Sequence, residues 1–267
     1  MTKVKHVAEK VLLQKRLGRH VEHDPRSKGY AFRAPAKVFQ SMTHMVRIPV
    51  LDQGSLGSCT GCAAEACCGS LPFWDAIPNT VAAKPSQNAV KALAQAVALY
   101  SRATSLDSFY GEYPPEDTGS SGLAVAKAAQ QAGLISGYLH TFTLEDALVA
   151  LGNTPVIVGV NWYSGFDRPA KDGRVSVTGS VRGGHEFLLY GIDAEKKIVK
   201  ARNSWGPKWG VNGTFYFSFD DLGRLLDEQG DCTIFVPLSK PAPTPSEASP
   251  DLVLAAAFDA WRKAKGL

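Results

Sequence analysis

The chain has 267 residues, 45% of them hydrophobic and 20% charged, with a formal charge of +4. Length and composition fit one large globular domain or two small ones, able to form a core without disulfide staples. The modest, dispersed positive charge does not call for a nucleic-acid partner, no stretch has the length and apolarity of a membrane span, and the first twenty residues lack the pattern of a signal peptide. The expectation is a cytoplasmic protein whose five cysteines, Cys59, Cys62, Cys67, Cys68 and Cys232, are thiols.

Residues 1–45 read as an N-terminal arm. An amphipathic stretch carries Val4, Val7, Val11 and Leu12 on one side and leads into the turn-rich segment HVEHDPRSKGYAF. That segment is too polar for a core, and it either crosses a cleft in the domain or straps the domain's back.

The domain follows at 46–238. Its first half, about 50–150, has helical patterns at 59–71, 86–104, 121–132 and 144–150, separated by Gly, Pro and Ser clusters. Its second half, about 151–238, turns to β-branched and aromatic runs, PVIVGVNW, HEFLLYGI, KIVKARN, GTFYFSF and DCTIFVP, with a short helix near Asp220–Glu228. A hairpin through Asp193-Ala194-Glu195-Lys196, with Ile192 opposite Lys197, brings Asn203 across from His185 or its neighbour. The fold class is α+β, a helical lobe beside an antiparallel sheet or barrel.

Residues 239–250 read as a proline-rich linker, and 251–267 as a helix opened by Ser249, Pro250 and Asp251. Leu254, Phe258 and Trp261 fall on one stripe of it, suited to docking on its own domain or to binding a protein partner.

Three chemistries compete for the stretch QGSLGSCTGCA at 53–63. A zinc site needs converging ligands, but Cys59 to Cys68 on one helix spans about 13 Å, and Cys67 and Cys68 point to different faces. A redox pair Cys59–Cys62 has the local spacing, yet the preceding LDQGSLGS is a loop rather than the buried strand that normally feeds such a motif. A nucleophile at Cys59 needs a base and an orienting acceptor. Of the six histidines only His185 starts a strand, with Gly183 and Gly184 giving its backbone room and exposing its ring, and Asn203 is placed to fix its tautomer. Gln53 is placed to return across the loop and donate, with the Cys59 backbone N–H, to an oxyanion.

Gln53 followed by GSLGSC, then GGHEFLLYG, then NSWGPKWGVNGTF together resemble the papain-like cysteine peptidases over about Ile48 to Pro237. The resemblance implies a helical lobe packed on a β-rich lobe, a cleft between them, and a central helix headed by the cysteine. It implies Cys59 as nucleophile, His185 as base and later acid, Asn203 as orienter and Gln53 as oxyanion donor. Trp205 would shield the His185–Asn203 bond and border the substrate, and Gly119, Ser120 and Gly184 would line an extended peptide or protein substrate. Cys62 packs in the core. No cofactor, metal, nucleic acid or membrane is implied.

The departures are specific. Leu56 stands where many members carry a disulfide cysteine, with Asp117 at its usual partner's place. Thr60 replaces a bulky tryptophan, and only about fifty residues precede Gln53, without the helical pattern of the family's pro-region. Glu186 stands where the family usually has a small residue lining the pocket for the side chain second from the cut. A carboxylate there must reach solvent or find a cation, either an internal one or a basic substrate side chain. The expected chemistry is peptide-bond hydrolysis through a thiolate–imidazolium pair. The alternatives are acyl transfer or deamidation at the same residues, or a catalytically silent binding protein.

Overall fold

A computed structural model describes residues 17–23, 32 and 39–239. The stretch around Val4–Leu12, most of 24–38, the linker beyond residue 239 and the C-terminal helix lie outside the described residues.

Helix α1, Cys59–Cys68, is buried on every side, which is why its sequence is small and apolar apart from Thr60 and Glu65. Gly61 lets its neighbour approach closely, since a Cβ there would overlap the Ala96 carbonyl of α3, Ala89–Thr104. The expected helix over 59–71 stops at Cys68. Gly69 and Pro72 break it, and a short α2, Phe73–Ala76, follows. Helix α4, Gly122–Gln131, starts where the Ser121 side chain accepts the Ala124 N–H, and α5, Leu144–Leu151, where Thr143 accepts from Asp146. Helix α6, Phe219–Asp227, is capped in the same way by Ser218.

Seven strands form one antiparallel sheet: β1 Met42–Thr43, β2 Gly137–Thr141, β3 Val156–Tyr163, β4 Val181–Asp193, β5 Ile198–Arg202, β6 Thr214–Ser218 and β7 Asp231–Val236. Their order is β2-β7-β3-β4-β5-β6, with β1 added to the far end of β4 through Met42↔Ile192. One apolar core lies between the sheet and α5 and α6, centred on Trp162, Phe187, Phe215 and Phe217. The other joins Ile157, Leu188 and Phe235 to α1, α3 and α4. The sheet is therefore the shared wall of both cores, because alternate residues of β3, β4 and β7 face opposite ways.

The hairpin is longer than expected. Asp193 pairs with Ile198 and Ile192 with Val199 rather than with Lys197, the turn reversing through Lys197 at φ 52°. A bulge between Leu189 and Gly191 then shifts the register to Leu188↔Arg202. One residue further, Asn203 comes level with Phe187, so it meets His185 on the diagonal of the same sheet face.

Candidate active site

Cys59 opens α1 at the end of a loop zipped to the segment beyond β5. Gln53 donates its backbone N–H to Ser204 O at 2.9 Å, Gly206 to Leu51 O at 2.9 Å, and Asp52 forms a bridge with Trp205. The Gln53 carboxamide oxygen accepts the Ser204 hydroxyl at 2.5 Å, and its nitrogen donates to Leu56 O at 2.8 Å, which orients the nitrogen as a donor within the loop. Asp117 clamps the same loop from the other side. Its carboxylate accepts the Gly57 N–H at 3.0 Å and the Tyr100 hydroxyl at 2.6 Å. A hydrogen-bonded carboxylate thus ties together the two segments where Leu56 and Asp117 stand in place of a disulfide. All five cysteines are free and buried.

His185 lies on β4, and its Nε2 is 2.8 Å from Asn203 Oδ1. That oxygen also accepts the Ser204 N–H at 2.8 Å, so it is the acceptor in both contacts, Nε2 carries the proton and Nδ1 holds a lone pair. Nδ1 makes no hydrogen bond to any described residue. The next backbone amide, that of Glu186, faces the Cys59 sulfur, which sets the thiol beside the β4 segment that carries the imidazole. Trp205 lies over the imidazole at 5.1 Å between ring centroids and Trp162 meets its edge at 4.7 Å. Together they keep water from the His185–Asn203 bond. Trp162 was not legible as part of the site, since PVIVGVNW shows a strand without showing which side faces the histidine.

The arm lies at this site. Arg19 N–H donates to Gly184 O at 3.0 Å, His20 N–H to Ser120 O at 2.7 Å, and Ser120 N–H to Gly18 O at 2.8 Å. Gly119, at φ 77°, and Gly18 leave the backbones room to pass, and Leu17 packs beside Gly183. His20 stacks on Phe109 at 4.4 Å, and Glu22 bonds Ser108 N–H and the Ser121 hydroxyl. Gly119, Ser120 and Gly184 do line an extended backbone, and its occupant here is residues 17–20. Trp205 touches the imidazole rather than that backbone.

Covering the site sets its protonation. Burial, with the nearby Glu186 charge, pushes the Cys59 thiol up to about 12, although the amides of Glu186, Gly18 and Thr60 work the other way. Burial also brings His185 down to about 4, against the bond to Asn203. Thiol and imidazole are both neutral in the covered site. Burial works against the expected ion pair, and His185 is buried rather than exposed, in a chamber that the arm covers.

Glu186 does not reach solvent. It is fully buried among Asp231, Arg19 and Gly122. Burial first, then the Asp231 charge, hold its carboxyl above the usual range against the pull of Arg19. Burial also works to raise Asp231, but His23 and Arg19 hold it below its ordinary value. Sequence reasoning singled out neither Asp231 nor Arg19.

The sequence matches no protein-family profile and no curated protein sequence. Solved structures do resemble it. Xylellain, a cysteine protease from Xylella fastidiosa, superposes with a TM-score of 0.63 at 16% identity over 85% of this chain and 97% of that one. Digestive procathepsin L 3 of Tenebrio molitor larval midgut gives 0.59 at 13% identity, over 86% and 79%. A recombinant stem bromelain precursor gives 0.54 at 17%, over 87% and 80%. With the helical lobe, the sheet lobe and α1 between them, the architecture of this chain is papain-like.

Proposed function

We propose that the protein is a cysteine peptidase whose own arm covers its active site. The observation that carries this reading is a buried thiol at the head of a central helix, beside the strand segment that carries an imidazole whose tautomer Asn203 fixes and whose second nitrogen is unpartnered among the described residues. When the arm leaves and water enters, the desolvation that keeps both groups neutral is relieved, and Cys59 passes its proton to His185 Nδ1. The thiolate attacks a peptide carbonyl, and the oxyanion is met by the Gln53 carboxamide and the Cys59 backbone N–H. His185 returns the proton to the leaving amine, and water releases the acyl group from the sulfur. Asn203 and the two tryptophans keep the imidazole aligned through both proton transfers. The structural neighbours titled as cysteine proteases support the same chemistry.

The arm in this pose is not a substrate. Gly18 turns its carbonyl to the Ser120 N–H and its own N–H toward Cys59, so the sulfur faces a hydrogen-bond donor and no electrophilic carbon.

The test compares two cysteines three positions apart on the same helix. Cys59→Ala should abolish peptide cleavage and labelling by a thiol-reactive peptide electrophile. Cys62→Ser should retain both while losing about 1–3 kcal/mol of stability, for a buried hydroxyl imperfectly paired. Mass analysis of the product should show a cut chain. Cleavage that survives in Cys59→Ala, or equal loss in both variants with rescue by an oxidant, would sink the assignment.

A further inference from the structure

Beside the reacting groups, three strands set abreast three residues that bond cleavage does not itself require. Gly159 on β3 is the Cα partner of Glu186 on β4 and of Asp231 on β7. Alternation sends all three to one face of the sheet, and at Gly159 there is no side chain to fill the space. A Cβ on Gly159 would stand 2.7 Å from Arg19 Nε, and one on Gly122, at the head of α4, would stand 2.8 Å from Glu186 Oε1 and 3.3 Å from Asp231 Oδ1. Two missing side chains open a slot, and two carboxylates line it.

Arg19 fills the slot. Its guanidinium donates to Asp231 and, at 2.8 Å, to the Gln229 carbonyl, which a left-handed backbone at φ 69° turns inward. The Arg19 and Asp231 side chains are 1% and 7% exposed. Among the described residues both ion-pair partners of Asp231, Arg19 and His23, come from the arm. Both Glu186 oxygens, with Nε and Nη1 of Arg19, are buried without a hydrogen bond among the described residues. Two buried carboxylates that draw their cations from a removable segment are costly in an empty cleft and favourable only when a cation arrives with the occupant.

The slot's place relative to the thiol follows from the arm. Gly18 packs against Gly57 and turns its N–H toward the Cys59 sulfur, and Arg19 is the next residue, its backbone held by Gly184. A substrate must offer Cys59 a carbonyl where the arm offers an N–H, so it runs the opposite way. The residue meeting the slot is then the one preceding the residue that is attacked.

Resting on the peptidase reading, we propose that Glu186, Asp231 and the Gln229 carbonyl form a specificity subsite for a basic side chain, arginine ahead of lysine, on the substrate residue preceding the one attacked by Cys59. Arg19 holds that place in the resting chain. One nitrogen, Nη2, reaches both Asp231 and Gln229 O at the end of the long arginine side chain, and Nε and Nη1 leave two further donors buried in the slot; a lysine ammonium, on a shorter stem, brings one point charge and no such spare donors. An apolar side chain strands both carboxylates without a partner.

The test uses the full chain and a set of peptidyl fluoromethyl ketones that differ only at that residue, Arg, Lys, Leu or Phe, with the rate of Cys59 modification read by intact mass. Every probe waits on the same opening of the arm, so the ratio of rates reports the subsite and not the latch. The Arg probe should react about tenfold or more faster than the Leu and Phe probes, with Lys between. The ratio should collapse in Asp231→Asn and fall in Glu186→Gln. Should Asp231→Asn fail to fold, Arg19→Leu serves instead, with all four rates rising and their ratio kept. Equal rates, an apolar preference, or an unchanged ratio in folded Asp231→Asn would overturn the subsite while leaving the peptidase reading intact. Failure of every probe to modify Cys59, even in Arg19→Leu, would overturn both.

Discussion

Arg19→Ala should open the site. The substitution removes the ion pair with Asp231 and the bond to Gln229 O while leaving the arm's backbone bonds to Gly184 and Ser120, the Glu22 contacts and the His20–Phe109 stack. Truncating one partner of a buried, hydrogen-bonded charge pair costs about 2–5 kcal/mol. The low end applies here, because Asp231 regains water once the arm departs, and about 2 kcal/mol is roughly thirtyfold in the fraction of open molecules. The assay is the initial rate of hydrolysis of a fluorogenic peptide by full-length wild type and variant, with a chain lacking residues 1–33 setting the ceiling. Wild type should be slowest, Arg19→Ala faster by that factor or up to the ceiling, and the truncation fastest. If folded Arg19→Ala keeps the wild-type rate while the truncation is activated, the guanidinium is not the latch. If neither is activated, the arm does not control access.

Two further outcomes follow from acids of the helical lobe. Burial pushes the Glu65 carboxyl in α1 up to about 8, partly offset by the Ser86 amide. A folded value above the unfolded one contributes stability that is full below the usual 4.5 and is lost as pH rises through about 8. Glu65→Gln should therefore flatten the fall in thermal stability over that window, a difference of about a few kcal/mol at the alkaline end; parallel pH profiles would refute it. Asp117→Asn keeps the Tyr100 and Gly57 contacts sterically but offers them a single neutral oxygen. Peptide turnover should fall more than thermal stability does, through a loosened Cys59 loop, and an unchanged kcat would show that the clamp does not position the thiol.

The residues proposed to react could be singled out because each sits in a block whose surroundings are unusual, Cys59 after a glycine-rich loop, His185 after two glycines, Asn203 two positions before a tryptophan. Lobe order and strand positions were legible for a similar reason, since the change from helical to alternating periodicity at Pro155 is abrupt. The hairpin register was not, because nothing in HEFLLYGI distinguishes a regular strand from one bulged between Leu189 and Gly191. Nor was the arm's course, which rests mainly on backbone bonds that leave no side-chain signature. Glu186 announced a missing cation, but Arg19 and Asp231 are 212 positions apart, and only the fold brings them together.

Gly18 crosses the loop before Cys59 so closely that a Cβ would overlap the Gly57 carbonyl, and its φ is not what requires the glycine. The covered state is thus specified at its tightest point by an atom that is not there. A sliding arm would carry Leu17 or Arg19 into the same gap, and neither fits, so the segment has one register and no near-miss alternatives. A single methyl, Gly18→Ala, is then enough to dislodge the arm while every group of the domain stays as it was. In genetic terms the covered chain stands one base change from an uncovered one, and an added peptide copied from residues 17–23 inherits the same all-or-none fit.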